Sequence, residues 1–450
     1  MRHDIFGQDT TLASEAALSA WNATMRAFLA HGAATPTHLA ATLQADPDFA
    51  LGHAAKGLFF LLLGRRELIA TAREALSAAG AAALKTQPTP REMAYVEALS
   101  AYLDGALSRA VAHLETVLAT CPRDALAAKL SHAIRFVLGD SQGMRRSLER
   151  ILPACGPDHA AHGYLLGCHA FALEETGDYA AAEAAGRAGL DTCPDDAWGL
   201  HAVAHVYDMT GNARAGLGWL EGREAAWAHC NNFRFHVWWH KALMHLDCGD
   251  TGAALALYDH EIRAEKTDDY RDISNGTSLL MRLELDGVDV GDRWEELAEV
   301  SMNRTEDGCL IFADLHYLLA LVGGDRDDAV TRLTSRLYRD ARASRTEIEQ
   351  RMARPGLATA AGLTAFGEGD YATAFRHLLI GRKDLQSAGG SHAQRDVFDR
   401  LCIDAGLRAG FLDAAETVLD ERRMKRGGYE DGYAMARRSI IARGRRIPAE

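Results

Sequence analysis

Apolar side chains return every three or four residues along this chain, as in Leu200, Val203, Ala204 and Tyr207. That period belongs to a helix with one buried face. Glycines break the helical stretches at Gly105, Gly139, Gly177, Gly211, Gly249 and Gly287, separated by 34, 38, 34, 38 and 38 residues. Gly64 precedes the series, and Gly324, Gly369 and Gly410 continue it less regularly. Several of these glycines sit in one recurring phrase: TGDYAAAEAA from 176, GDTGAALALY from 249 and EGDYATAFRHL from 368. Prolines keep step, with Pro47, Pro122 and Pro194 each 17 residues before Gly64, Gly139 and Gly211. A proline ahead of one helix and a glycine behind it is the punctuation of a helical hairpin.

One hairpin cannot bury its own apolar face, so neighbouring hairpins must stack. The spacing, the small residues and the proline resemble the tetratricopeptide (TPR) pattern, which has a 34-residue unit. The expected fold is therefore all-α, a TPR-like α-solenoid: a right-handed superhelix of about ten hairpins. No linker divides the array, so residues 1–450 are expected to form a single continuous domain. Helices within 11–45 would cap its start, and a helix with a basic tail over 415–450 would end it.

Composition narrows the picture. Apolar residues make up 48% and aromatic ones only 7%, which suits close-packed helices and disfavours β-sandwiches and barrels. The 49 Lys and Arg against 62 Asp and Glu give a formal net charge of −13. A surface so charged repels polyphosphate, so no nucleic-acid partner is expected. The basic stretch from Arg422 to Arg446 is the local exception, and is expected to be a solvated terminal helix. The eight cysteines include no CxxC pair, and the first residues lack the apolar run of a signal peptide. Reduced thiols and a cytoplasmic location follow as expectations. The longest apolar run, Leu58 to Leu63, is too short for a membrane span.

Candidate chemistry lies in the first helix of each hairpin. With the turn glycine numbered 15, His201 falls at position 5, His205 at 9, His236 at 2 and His240 at 6. Asp314 falls at 5 if Gly324 is its turn. In the TPR pattern, positions 2, 5, 9 and 12 line the concave groove, while 4, 7, 8 and 11 pack into neighbours. His201/His205 and His236/His240 are i, i+4 pairs, so each pair shares a helix face. Four imidazoles would then face one region of the groove. Trp238, at position 4, is expected in the core, and His169, His316 and His245 fall at packing positions.

Imidazoles exchange protons near neutral pH. Two such pairs could also chelate a divalent ion, but HExxH is absent, and Asp314, Asp272 or Glu224 would be needed to complete the charge. A divalent metal is not favoured, no metal residue is assigned, and the cofactor is unknown. Hydrolase-elbow, dinucleotide and P-loop motifs are also absent. The stretch GGSHAQRD from 389 could present Arg395 to a carboxylate or phosphate, or could be an ordinary loop with Ser391 as helix cap.

The segments DDAWGLHAVAHVYDM, HVWWHKALMHLDCGDTGAALALYDHEI, VGDRWEELA, FADLHYLLA and GGSHAQRDVF, in this order over roughly 90 to 410, resemble the tetratricopeptide repeat protein 38 family. Its motif residues match at Trp198, His201, His205, Glu224, Trp227, His236 and Trp239. They match also at His240, Asp272, Asp314, His316, Gln394, Arg395 and Asp396. The resemblance implies a shared inner pocket without implying a reaction, and it raises the weight of His316 and Asp314. His392 departs from the residue expected at its place.

Two functions compete. In the first, His201, His205, His236, His240 and Asp314 serve acid–base chemistry on a small molecule in an enclosed pocket. Hydrolysis, elimination or isomerisation would suit such a site. Trp198 and Trp239 give it flat apolar contact, and Glu224, Asp272, His316, Arg395 and Asp396 complete the binding set. In the second, the groove is a protein–protein scaffold for a peptide or helix. His and Asp stand where a carboxylate clamp has Lys, Arg and Asn, which weighs against a C-terminal peptide. Whether the chain is an enzyme is left open. A homodimer is compatible with a solenoid that has two apolar ends.

Overall fold

A computed structural model describes residues 1–446; the last four positions of the expected tail, 447–450, lie outside the described residues. The fold is all-α and TPR-like, a succession of antiparallel helical hairpins. Its one departure at the start is a small antiparallel pair of strands, Arg2–His3 and Asp9–Thr10. None of the described helices is long and apolar enough to cross a membrane.

The turn glycines hold the positions their spacing predicts. Gly105, Gly139, Gly177, Gly211, Gly249 and Gly287 all have φ between +66° and +84°, a region costly for any residue with a Cβ. Gly324 is the exception. Its φ is −97°, and Asp325 takes the left-handed conformation instead, at +54°. A Cβ on Gly324 would meet that of Ala298 at 2.4 Å, so this glycine serves close packing rather than the turn. Pro47, Pro122 and Pro194 lie in the loops before the helices Ala50–Leu62, Ala125–Leu138 and Ala197–Met209.

Helix contacts gather the chain into two compact units. The first is Met1–Val203 with Glu224–Arg234, and the second is Ala204–Arg223 with Phe235–Glu450. In the first unit the helices Glu15–Leu29 and Thr35–Ala45 form the opening hairpin, within the 11–45 region. His162–Glu174 and Tyr179–Thr192 cross closely because glycines meet: a Cβ on Gly163 would lie 2.6 Å from the Gly189 carbonyl. A buried ion cluster ties the strands to later hairpins. Arg91 bonds Asp124 at 2.6 Å and Asp4 at 3.3 Å, and Tyr95 donates its hydroxyl to Asp124 at 2.8 Å. Burial lifts the Asp4 carboxyl to about 6, against the pull of Arg91.

The second unit contains the hairpin of Tyr270–Leu285 with Arg293–Met302, and that of Ile311–Gly323 with Asp327–Ala343. Leu357–Gly367 with Tyr371–Gly381, and His392–Arg408 with Leu412–Lys425, follow before a last helix, Gly432–Gly444. Here the expectation of a solvated basic tail fails. Arg422, Arg426 and Arg437 are buried. Arg422 bonds Asp396 and Asp431, each at 2.5 Å, while Arg437 bonds Asp286 at 2.5 Å and Asp404 at 3.2 Å. Arg426 reaches Asp208 at 3.3 Å. The chain is acidic elsewhere, and its carboxylates draw these arginines inward, leaving Arg423, Lys425 and Arg445 in solvent. Trp238 is a second correction. It is half-buried, with the Lys241 ammonium 5.2 Å from its ring centre, while its neighbour Trp239 takes the core position.

Candidate functional site

The helix Ala197–Met209 starts at a buried carboxylate. Asp196 accepts the Gly199 N–H at 3.1 Å, filling one of the bonds a helix start leaves open. Burial raises this carboxyl to about 7, with Lys129 drawing it the other way. Its pocket exists because Gly167 lacks a Cβ, which would lie 1.9 Å from Asp196 Oδ2.

One turn on, His201 belongs to the first unit. It is buried, bonds the Trp198 carbonyl through Nδ1 at 3.1 Å, and stacks on Phe171 with ring centres 5.5 Å apart. Trp198 is half-buried. It stacks on His31 at 5.2 Å and carries the Lys129 ammonium 4.8 Å from its ring centre.

His205, His236 and His240 belong to the second unit, and there they converge. All three are buried, and each offers a ring nitrogen within 4.8 Å of the others. Rings 205 and 240 are 4.2 Å apart between centres, and rings 236 and 240 are 4.7 Å apart and nearly perpendicular. His236 Nε2 lies 3.2 Å from His240 Nε2. On its other side, His236 Nδ1 donates to Asn275 Oδ1 at 3.1 Å. Trp239 stacks flat on His236 at 5.3 Å and meets His240 edge-on. Burial pushes the His236 imidazolium down to about 3, and His205 adds to the shift. The ring is therefore neutral at physiological pH, with an electron pair to offer.

Asn275 went unnoticed in the sequence, yet a signal was there. The helix Tyr270–Leu285 carries Asp272, Ser274, Asn275, Thr277, Ser278 and Arg282, all buried. So polar a run inside one hairpin of a packed array marks a helix that faces other polar groups.

The remaining expected residues go elsewhere. Asp314 is buried in a bidentate pair with Arg336, Oδ2 at 3.0 Å and Oδ1 at 2.5 Å, and lies outside the histidine grouping. Both carboxylate oxygens are engaged by the Arg336 guanidinium. His316 bonds the Phe312 carbonyl at 2.8 Å, and burial lowers it to about 4. Asp272 accepts the Thr267 hydroxyl at the start of its helix. Glu224, in the first unit, stands half-buried before the short helix Ala225–Ala228.

Arg395 donates from its guanidinium to the Gly389 and Gly390 carbonyls, which fixes the loop. Asp396 is held by Arg400 at 2.7 Å and Arg422 at 2.5 Å, which keep its carboxyl well below the usual range. It anchors the C-terminal helices. Ser391 caps the helix His392–Arg408 in a reciprocal pair with Gln394, the ordinary reading of that loop.

No family model matches the chain. Among solved structures it is similar to a human IFIT1 dimer with m7Gppp-AAAA, at 14% identity and a TM-score of 0.42, covering 85% of this chain and 87% of that one. It is also similar to Naa15/Naa10 bound to HypK-THB, at 12% identity and a TM-score of 0.26, covering 95% and 66% respectively. Both likenesses are too weak to bear on function.

Proposed function

We propose that this chain belongs to the tetratricopeptide repeat protein 38 family and binds a small molecule at the imidazoles of His205, His236 and His240. The observation that carries the reading is their convergence: three buried histidines from two helices, within 4.8 Å of one another. Stacked hairpins need only small and apolar residues at such positions, and burying polar rings costs stability unless they find hydrogen-bond or other polar partners. Trp239 supplies a flat wall beside them, and Asn275 fixes one ring. Binding, with no named reaction, is the function proposed.

The test is native mass spectrometry of the full chain beside His205→Ala and His236→Ala. Wild type should retain a small ligand that both variants lose while melting within a few degrees of it. Wild type without any retained species would overturn the reading. A second reading, a scaffold for a peptide or helix, is favoured by the hairpin repeat itself, which offers broad surfaces to partners. It predicts histidine variants that behave as wild type in the same experiment.

A further inference from the structure

We infer that His205, His236 and His240 form a binding site for a divalent first-row transition ion of the zinc type, with one coordination position left for an anionic oxygen of the ligand. The inference rests on the proposed ligand site and names what occupies it. Its first support is a distance. Nitrogens bound to zinc at about 2.0–2.1 Å in tetrahedral array lie about 3.3–3.4 Å apart, and His236 Nε2 and His240 Nε2 are separated by 3.2 Å. Its second support is orientation. His236 gives its Nδ1 proton to Asn275 Oδ1 at 3.1 Å, which leaves the Nε2 lone pair facing His240. A carbonyl oxygen behind the far nitrogen of a ring is the usual outer partner of a metal-bound histidine.

His205 brings the third nitrogen, within 4.8 Å of both. His201, in the first unit, is not counted. Three neutral imidazoles leave the ion's double positive charge uncompensated, so the fourth position favours hydroxide or an anionic oxygen of a small ligand. Nothing in HExxH or cysteine spacing pointed here, because the ligands are the i, i+4 pair His236/His240 and a single histidine, His205, from another helix of the same unit.

The competing account is a plain hydrogen bond between His236 and His240, which needs no ion. The experiment strips the purified full chain with a chelator, checks its helicity, and adds Co2+ or Zn2+ alone. The expected result is one ion per chain and the intense visible bands of four-coordinate cobalt, altered by azide at the open position. His236→Ala and His205→Ala should bind at least 100-fold more weakly. Asn275→Ala should lose about 10–100-fold, and His245→Ala should match wild type.

If the histidine variants unfold, X-ray absorption of zinc-loaded wild type decides. A shell of three imidazole nitrogens upholds the site, and a shell dominated by sulfur or carboxylate overturns it. Folded, stripped protein that takes up neither ion at 1:1 overturns it too. Stripped protein that still retains a small molecule lost in His236→Ala refutes the metal while leaving the ligand site standing. Loss of both removes both.

Discussion

Replacing Asp314 by Asn separates a structural charge from a functional one. The carboxylate and the Arg336 guanidinium are both fully buried, joined by two bonds of 3.0 and 2.5 Å. With charge centres about 4 Å apart and an effective dielectric near 20, their attraction is about 4 kcal/mol. Removing one partner of a buried pair typically costs about 3–5 kcal/mol. Two features place this case at the lower end. Burial opposes the carboxylate, raising its pKa, and Arg336 keeps Asp340 at 3.5 Å and the Thr305 carbonyl at 3.1 Å. We therefore expect about 3 kcal/mol, a drop of roughly 6–12 °C in melting temperature for a unit of this size.

The assay is thermal and urea unfolding of Asp314→Asn, Arg336→Met and the double variant Asp314→Leu/Arg336→Met. The double variant should recover much of the loss, because it leaves no charge unpaired. Cobalt uptake by Asp314→Asn should equal that of wild type. A variant that melts within 1 °C of wild type (roughly 0.5 kcal/mol or less) would refute the reasoning. So would one that melts normally but loses the ion.

Three further outcomes follow from the packing. Asp196 has a folded pKa of about 7, above its unfolded value of about 3.9. The stability tied to its protonated form is thus complete below pH 4 and lost as pH rises through 7. Asp196→Asn keeps the helix cap and should gain on wild type between pH 5 and 8.5, by up to about 4 kcal/mol; parallel melting curves would rule this out. Gly167→Ala places a Cβ 1.9 Å from Asp196 Oδ2 and 3.0 Å from Gly199 Cα, and should cost about 1–3 kcal/mol, read by urea titration. An unchanged midpoint would mean that the carboxylate swings aside freely. A chain ending at Arg426 loses Asp431, which holds Arg400 and Arg422, and should become trypsin-sensitive across the second unit. A digestion pattern like that of the full chain would contradict the anchoring role of the tail.

How much of this was legible in advance depends on the range over which each feature acts. Turn positions act within a few residues. The glycine spacing accordingly placed the turns, failing only at Gly324, where packing against Ala298 took precedence over backbone conformation. The shared face of His201 and His205, and that of His236 and His240, are consequences of the same local helical geometry. The capping role of Ser391 is local too, and it was open to reading.

Pairing across the fold is another matter. Asp314 finds Arg336 on the next helix, Arg437 finds Asp286 across 151 residues of chain, and His236 finds Asn275 one hairpin later. The Arg422–Arg446 stretch looks solvated when only neighbouring charges are counted, yet three of its arginines are inside. From the chain alone came the hairpin period, the helical class and the faces on which the histidines lie, since these follow from backbone sterics and the 3.6-residue turn. The packing of those hairpins alone decided which rings converge and which charges neutralise one another, because burial and long-range electrostatics exist only once distant segments have met.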